Sequence, residues 1–296
     1  MAWEFEELFD VDPGSGRTLL DGVWDAEGYW RDIPTEIRVG RMGYRTRTTK
    51  AGPRLEIEIF PLFGREATGR ARRAKENVTK EAVQRLNEER SKRKLVQLAD
   101  ANFTEKDVSV TLTYTGKPPT YEQAQKDIKN FLRVVKRKRD QRAMEQLKYI
   151  YSIEGDDDGT RERIHVHMLM SGGIDREEIE KIWAKGYANV DRLQPDENGL
   201  EGIARYIAKQ QKNRRKWCRS RNLKQPKQRT SDTKVSNARV KRLAMDFPNN
   251  AKDIMEKLYP RYMHVKTVLR YSSMVDGAYI RCVMRERPGR GRGERS

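Results

Sequence analysis

Strict alternation of apolar and polar residues marks the first clear element of the chain. In VSVTLTYT, Val108, Val110, Leu112 and Tyr114 fall on one side and Ser109, Thr111, Thr113 and Thr115 on the other, which is the period of a half-buried strand. GKPP ends it. In TYEQAQKDIKNFLRVVKRKR the apolar positions Ala124, Ile128, Leu132 and Val135 recur on one helical face. KYIYSIE (Lys148–Glu154) is β-branched and aromatic and reads as a strand, GDDDGTRE as a turn, and RIHVHMLM as the next strand. DREEIEKIWAKG opens with acids, sets Ile179 and Ile182/Trp183 on one side and carries Gly186 as its stop. YANVDRLQ is a short strand and GLEGIARYIAKQ a helix. The order β-α-β-β-α-β-α predicts an α+β domain with a mostly antiparallel sheet.

The flanking text is different. Residues 1–62 are mixed, with one alternating strand, RLEIEIF (Arg54–Phe60), and suggest no function. Residues 63–100 form a basic helical segment in which Val83, Leu86, Leu95 and Leu98 make an apolar stripe, suited equally to packing on the next domain and to DNA contact. The patterned domain spans 101–223. Residues 224–284 are a basic C-terminal region, and 285–296 an Arg/Gly-rich tail expected to be disordered.

Charge sharpens the picture. Lys and Arg number 62 against 44 Asp and Glu, a formal net charge of +18, which points to a polyanionic partner, most simply nucleic acid. Cys218 and Cys282 are the only cysteines, too few for a disulfide framework or a Cys-based zinc site, and they suit a reducing cytosol. No run of about 18 apolar residues predicts a membrane span, and the acidic N-terminus MAWEFEELFDVDPG lacks the basic start of a secretory signal. GREATGR spaces two glycines as a phosphate loop does, but Arg70 and Ala71 stand where Lys and Ser/Thr are required, so no NTP site is expected.

Of 3 histidines, two sit in IHVHMLM. Alternation puts His165 and His167 on one face of the strand and Val166, Met168 and Met170 on the other. Two imidazoles about 6–7 Å apart at Cα can converge on one ion. The hairpin reading brings the end of the preceding strand, Glu154, alongside as a third ligand, ahead of the loop acids Asp156, Asp157 and Asp158. Two imidazoles and a carboxylate suit Mn²⁺ or another first-row divalent metal, with Mg²⁺ bound more weakly. Alone, a His-x-His pair is more commonly just polar surface on a half-exposed strand.

A cation, a basic surface and an antiparallel sheet suggest phosphodiester chemistry. In LEGIARYIAKQ the buried stripe is Leu200, Ile203 and Ile207, with Tyr206 about 60° to one side of it and Lys209 one turn further on. Tyr206 can therefore reach toward the sheet, and the Lys209 ammonium favours its phenolate. YIAK by itself is a common helical string, and most such tyrosines only pack.

VSVTLTY, then IHVHMLM, then YIAK, in this order and spacing, resemble the HUH endonucleases, and more closely the rolling-circle replication initiators of plasmids and single-stranded DNA phages. The resemblance covers about Ala101 to Leu223, and IWAKGYANVDRL and SRNLKQP are also similar to that group. It implies an RRM- or ferredoxin-like antiparallel sheet flanked by helices. It further implies that His165, His167 and Glu154 hold Mn²⁺ or Mg²⁺, that Tyr206 attacks single-stranded DNA at a replication origin, and that Lys209 positions or activates the reacting groups. The products are a 5′-phosphotyrosine link and a 3′-OH that primes a host DNA polymerase in the bacterial cytosol. Position 210 is Gln and the next tyrosine is Tyr259, so single-tyrosine chemistry is expected. A host helicase would unwind the duplex. Conjugative relaxases carry the tyrosine before the histidines and rank lower.

Arg214, Arg215, Lys216, Trp217, Arg219 and Arg221 follow the tyrosine helix and have the composition of a single-strand groove, cationic with an aromatic; Trp217 is as readily a core residue. Two other functions remain open: a non-enzymatic nucleic-acid-binding regulator with an RRM-like domain, and an HUH tyrosine transposase.

Overall fold

The computed structural model describes residues 22–24, 30–31, 43–62, 80–116, 119–155, 164–208, 217–245, 251–272 and 277–288. The chain divides into two compact units, Ser91–Gln225 and the combination of Met1–Arg90 with Pro226–Ser296.

In the unit built from both chain ends, the early strands are β1 (Gly22–Trp24), β2 (Trp30–Arg31), β3 (Tyr44–Ala51) and β4 (Arg54–Pro61). The late elements are β10 (Lys227–Ser231), α5 (Asn237–Met245), α6 (Ala251–Leu258), β11 (Tyr262–Ser272) and β12 (Gly277–Glu286). The strands form one seven-stranded sheet in the order β10-β3-β4-β12-β11-β1-β2, so residues that read as separate leading and trailing regions share a sheet. Strand β4 is buried on both faces. Ile57 and Ile59 join Val240, Leu243, Met255 and Ile280 in the core. Its charged positions are ion-paired, Arg54 Nε to Glu56 Oε1 at 2.7 Å and Arg47 Nε to Glu58 Oε2 at 2.7 Å, as buried charge requires.

The second unit carries the patterned domain. Helix α1 (Lys80–Asn102) enters it at Ser91, followed by β5 (Val108–Thr113), α2 (Tyr121–Gln141), β6 (Tyr149–Glu154) and β7 (His165–Met170). Then come α3 (Arg176–Ile182), β8 (Ala188–Arg192), α4 (Glu201–Ile207) and the short β9 (Cys218–Arg219). The strands pair antiparallel in the order β8-β5-β7-β6-β9. The architecture is α+β, a ferredoxin-like antiparallel sheet flanked by helices.

Alternation decides what each face meets. Val108, Val110, Leu112, Val166, Met168 and Met170 pack against α2 and α3 through Ile128, Phe131, Leu132, Ile179 and Trp183. Helix α2 starts where Thr120 caps it, its hydroxyl accepting from the Gln123 N–H. On the opposite face Ile150 and Leu169 pack under Leu95, Leu98 and Phe103 of the α1 end and under Ala204 and Ile207 of α4. The apolar stripe on α1 is thus core at Leu95 and Leu98, while the Val83 and Leu86 side chains lie outside the described residues. Helix α3 ends at Ile182, four residues before Gly186. The glycine there serves a different purpose from stopping a helix: a Cβ would stand 2.3 Å from the Thr113 carbonyl oxygen, so only glycine lets this loop approach β5.

Trp183 is the largest buried side chain of this core. Its indole N–H donates to the Thr113 carbonyl at 2.8 Å and its ring meets Tyr114 edge-on at 5.1 Å. Trp183→Ala is expected to destabilise the unit by about 3–5 kcal/mol, the usual cost of an aromatic-sized cavity, seen as a lowered urea midpoint. An unchanged midpoint would remove Trp183 as the keystone of the α3 packing.

Candidate functional site

The face of the sheet away from α2 presents three cross-strand rows, set by register. Ser109, Leu169 and Ile150 form the first; Thr111, His167 and Ser152 the second; Thr113, His165 and Glu154 the third. Leu169 and Ile150 of the first row are covered by α1 and α4. The rows then emerge from beneath the helices, and the polar groups lie where the cover ends.

Helix α4 is short, and its location is fixed by what it buries. Leu200, Ala204, Ile207 and Ala208 pack on the α1 side chains, with Ile203 partly buried. The Leu200 N–H donates to Asp100 Oδ1 at 3.0 Å, tying the start of α4 to α1. With that face inward, Tyr206 projects over the second row and is 51 % exposed. Its hydroxyl lies 3.5 Å from His167 Nε2, and the two rings meet edge-on with centroids 4.7 Å apart. The predicted convergence of strand imidazole and helical phenol is therefore the observed arrangement of these side chains.

Glu154 is opposite His165 in register, yet its carboxylate leans back one row, with Oε2 at 3.3 Å from His167 Nε2. Thr111, which sequence reasoning passed over, holds the other side of the ring: its Oγ1 is 3.4 Å from His167 Nδ1. The Thr111 signal was its place on the polar face of β5, and register alone turns that place into a contact. His165 stacks beyond His167 with centroids 6.3 Å apart and planes 18° apart.

The donor chemistry fits a divalent cation in part. Two ligands bonded to one metal at about 2.1 Å stand roughly 3.0–3.4 Å apart, and the Glu154–His167 separation of 3.3 Å is of this size. Two imidazoles sharing an ion in adjacent positions have centroids roughly 4.5–5.5 Å apart, so His165 must turn inward from its 6.3 Å spacing to join. Among the described residues, no three His, Cys, Asp or Glu side chains stand together as a formed metal group.

The remaining predicted residues separate from this cluster. Lys209, Arg214, Arg215 and Lys216, like the loop acids Asp156, Asp157 and Asp158, lie outside the described residues. Trp217 packs against the core beneath α1, and its indole N–H donates to Ser91 Oγ at 2.9 Å. Arg219 and Arg221 are exposed at and just after β9, the edge strand beyond β6.

With this geometry in place, comparison with known families identifies the segment that carries it. Residues 107–211 match the family of the replication-associated protein ORF2. The match covers about a third of the chain and takes in β5 through α4, hence Glu154, His165, His167 and Tyr206. The likeness ties this segment to DNA replication and to DNA as its partner. No curated protein and no solved structure matches the chain. Among the described residues no helix is long and apolar enough to cross a membrane.

Proposed function

We propose that the protein is a rolling-circle replication initiator of the HUH type, which nicks and rejoins one DNA strand through a phosphotyrosine at Tyr206. The observation that carries the reading is the half-exposed Tyr206 hydroxyl 3.5 Å from His167 Nε2, in the segment similar to replication-associated proteins.

Tyr206 Oη attacks the scissile phosphorus. A P–O bond to tyrosine forms, and the bond to the 3′-oxygen breaks. The proton lost by the phenol is balanced by the one gained by the 3′-oxygen. One phosphodiester replaces another, so the step is reversible and needs no ATP, and the free 3′-OH can prime a host polymerase. His165, His167 and Glu154 are the residues that would hold Mn²⁺ or Mg²⁺. When bound, the ion polarises a non-bridging phosphoryl oxygen and draws the phosphate to the second row. Thr111 fixes the plane of the His167 ring through Nδ1, leaving Nε2 facing the open side. The hydrophobic seat of α4 holds the phenol over that side at little conformational cost. In this reading Lys209 assists the reacting groups, Arg214, Arg215 and Lys216 contact the strand, a host helicase opens the duplex, and the work is done in the host cytosol.

The test is incubation of the intact protein with labelled single-stranded origin DNA and Mn²⁺, followed by a denaturing gel. A protein-linked DNA band that survives denaturant is expected. Absence of the band across divalent metals and origin strands would leave the non-enzymatic DNA-binding regulator as the better reading.

A further inference from the structure

A cleft of about 770 Å³ lies between α2 and the segment around β9. It is on the opposite face of the five-stranded sheet from His167. Tyr149 and Tyr151 form its floor, and alternation along β6 turns them away from Ser152 and Glu154. The site described above does not use it.

Its lining is one-sided in charge. Helix α2 contributes Lys129, Arg133 and Lys136, spaced i, i+4, i+7 along an exposed stripe. Arg219 and Arg221 line the other lip, and no Asp or Glu lines the cleft. No ion pair links any of these five cations to an acid among the described residues. Nearby, burial and then the Arg219 charge lower the Lys94 ammonium below its ordinary range. Like charges gathered without counter-charges repel one another, and an external anion relieves that cost.

The floor narrows the choice of anion. Leu132, Leu147 and Tyr151 are buried and Tyr149 half-buried, the two tyrosine rings 6.0 Å apart and tilted by 31°. A cationic rim over flat apolar rings suits a strand that offers phosphates and unpaired bases together. A duplex keeps its bases stacked inside and would use the rim alone, as would a free phosphate.

We propose that this cleft binds a second run of single-stranded DNA, apart from the nicking face, and so anchors the strand that flanks the nick. The identity of the strand rests on the replication-initiator reading; the cleft's chemistry stands independently of it.

Cys218 lines the cleft and is half-buried, whereas Cys282 is fully buried. Maleimide labelling of the intact chain therefore reports on the cleft. The measurement uses full-length Tyr206→Phe protein, so no covalent chemistry intervenes, with a single-stranded oligothymidine confirmed as bound by anisotropy. Labelling of Cys218 is expected to slow about tenfold or more at saturating oligonucleotide. The triple variant Lys129→Ala, Arg133→Ala, Lys136→Ala should lose the protection. The salt slope of its single-strand binding should fall by about 2, near 0.7 for each phosphate contact removed. All three side chains are exposed on α2, and a melting curve checks the fold. Undiminished labelling with the oligonucleotide bound would overturn the proposal, as would full protection in the triple variant. Equal protection by duplex or by inorganic phosphate would overturn the single-strand assignment. If wild-type protein forms no adduct while Cys218 is still protected, the nicking reading fails and the cleft stands.

Discussion

Tyr206→Phe protein should form no covalent adduct with origin DNA, a loss on the order of 10³-fold or more against wild type. The change removes one oxygen. The ring keeps its edge-on contact with His167 at 4.7 Å, and because the side chain is 51 % exposed no buried polar group is stranded. Stability should therefore stay within about 0.5 kcal/mol, and single-strand affinity within about threefold. A variant that is folded, binds DNA and makes no adduct separates chemistry from binding, which a purely DNA-binding protein would not do. Continued adduct formation at wild-type yield would move the nucleophile elsewhere, and mapping the linked peptide would locate it.

Removal of the histidines should produce the second large effect. His167→Ala is expected to lower Mn²⁺-dependent adduct formation on the order of 10²–10³-fold, the range for loss of one electrostatic stabiliser at a reacting centre. Its ring contacts Glu154, Tyr206 and Thr111, whereas His165 stands one row further out. If both imidazoles hold one ion, His165→Ala should nonetheless show a comparable loss. The double variant should then be no worse than either single, because residues acting as a unit are not additive. Mn²⁺ titration followed by electron paramagnetic resonance gives a readout that loss of packing does not move: weakened ion binding in each single variant. EDTA should abolish the wild-type adduct and leave single-strand binding in place. Full activity in His165→Ala, with unaltered Mn²⁺ affinity, would refute the shared-ion geometry and leave His167 acting with Glu154 alone.

Much of the second unit was legible because its signals are local. Period-two alternation in VSVTLT and HVHMLM fixes which residues share a face, whatever the strands pair with, and β5 and β7 bury the predicted set. The spacing of Ala124, Ile128, Leu132 and Val135 specifies the inner face of α2 in the same way. Trp217 shows the limit of composition: a tryptophan amid arginines reads as a base-stacking platform, but here it caps a core and spends its N–H on Ser91. The alternating charges of β4 show another. RLEIEIF reads as a half-solvated strand, yet Arg54, Glu56 and Glu58 are buried, and what makes that possible is partners such as Arg47 on the neighbouring strand. The cleft beside α2 was hidden for a similar reason, since Lys129, Arg133 and Lys136 look like any solvated helix face until Arg219 and Arg221 close the other side.

The sequence by itself determined that His165 and His167 share a strand face, that Glu154 ends the neighbouring strand, and that Tyr206 flanks the buried stripe of a helix. Each follows from the repeat of one element. Only the tertiary structure decided that the Glu154 carboxylate reaches past its register partner to His167, that Thr111 holds the far side of that ring, and that α4 sits on α1 with its phenol over the second row. It also decided that strands from both ends of the chain close into one sheet. The physical reason is the same throughout: periodicity sets the direction of a side chain about its own axis, but only packing and cross-strand pairing between distant segments set where that axis lies.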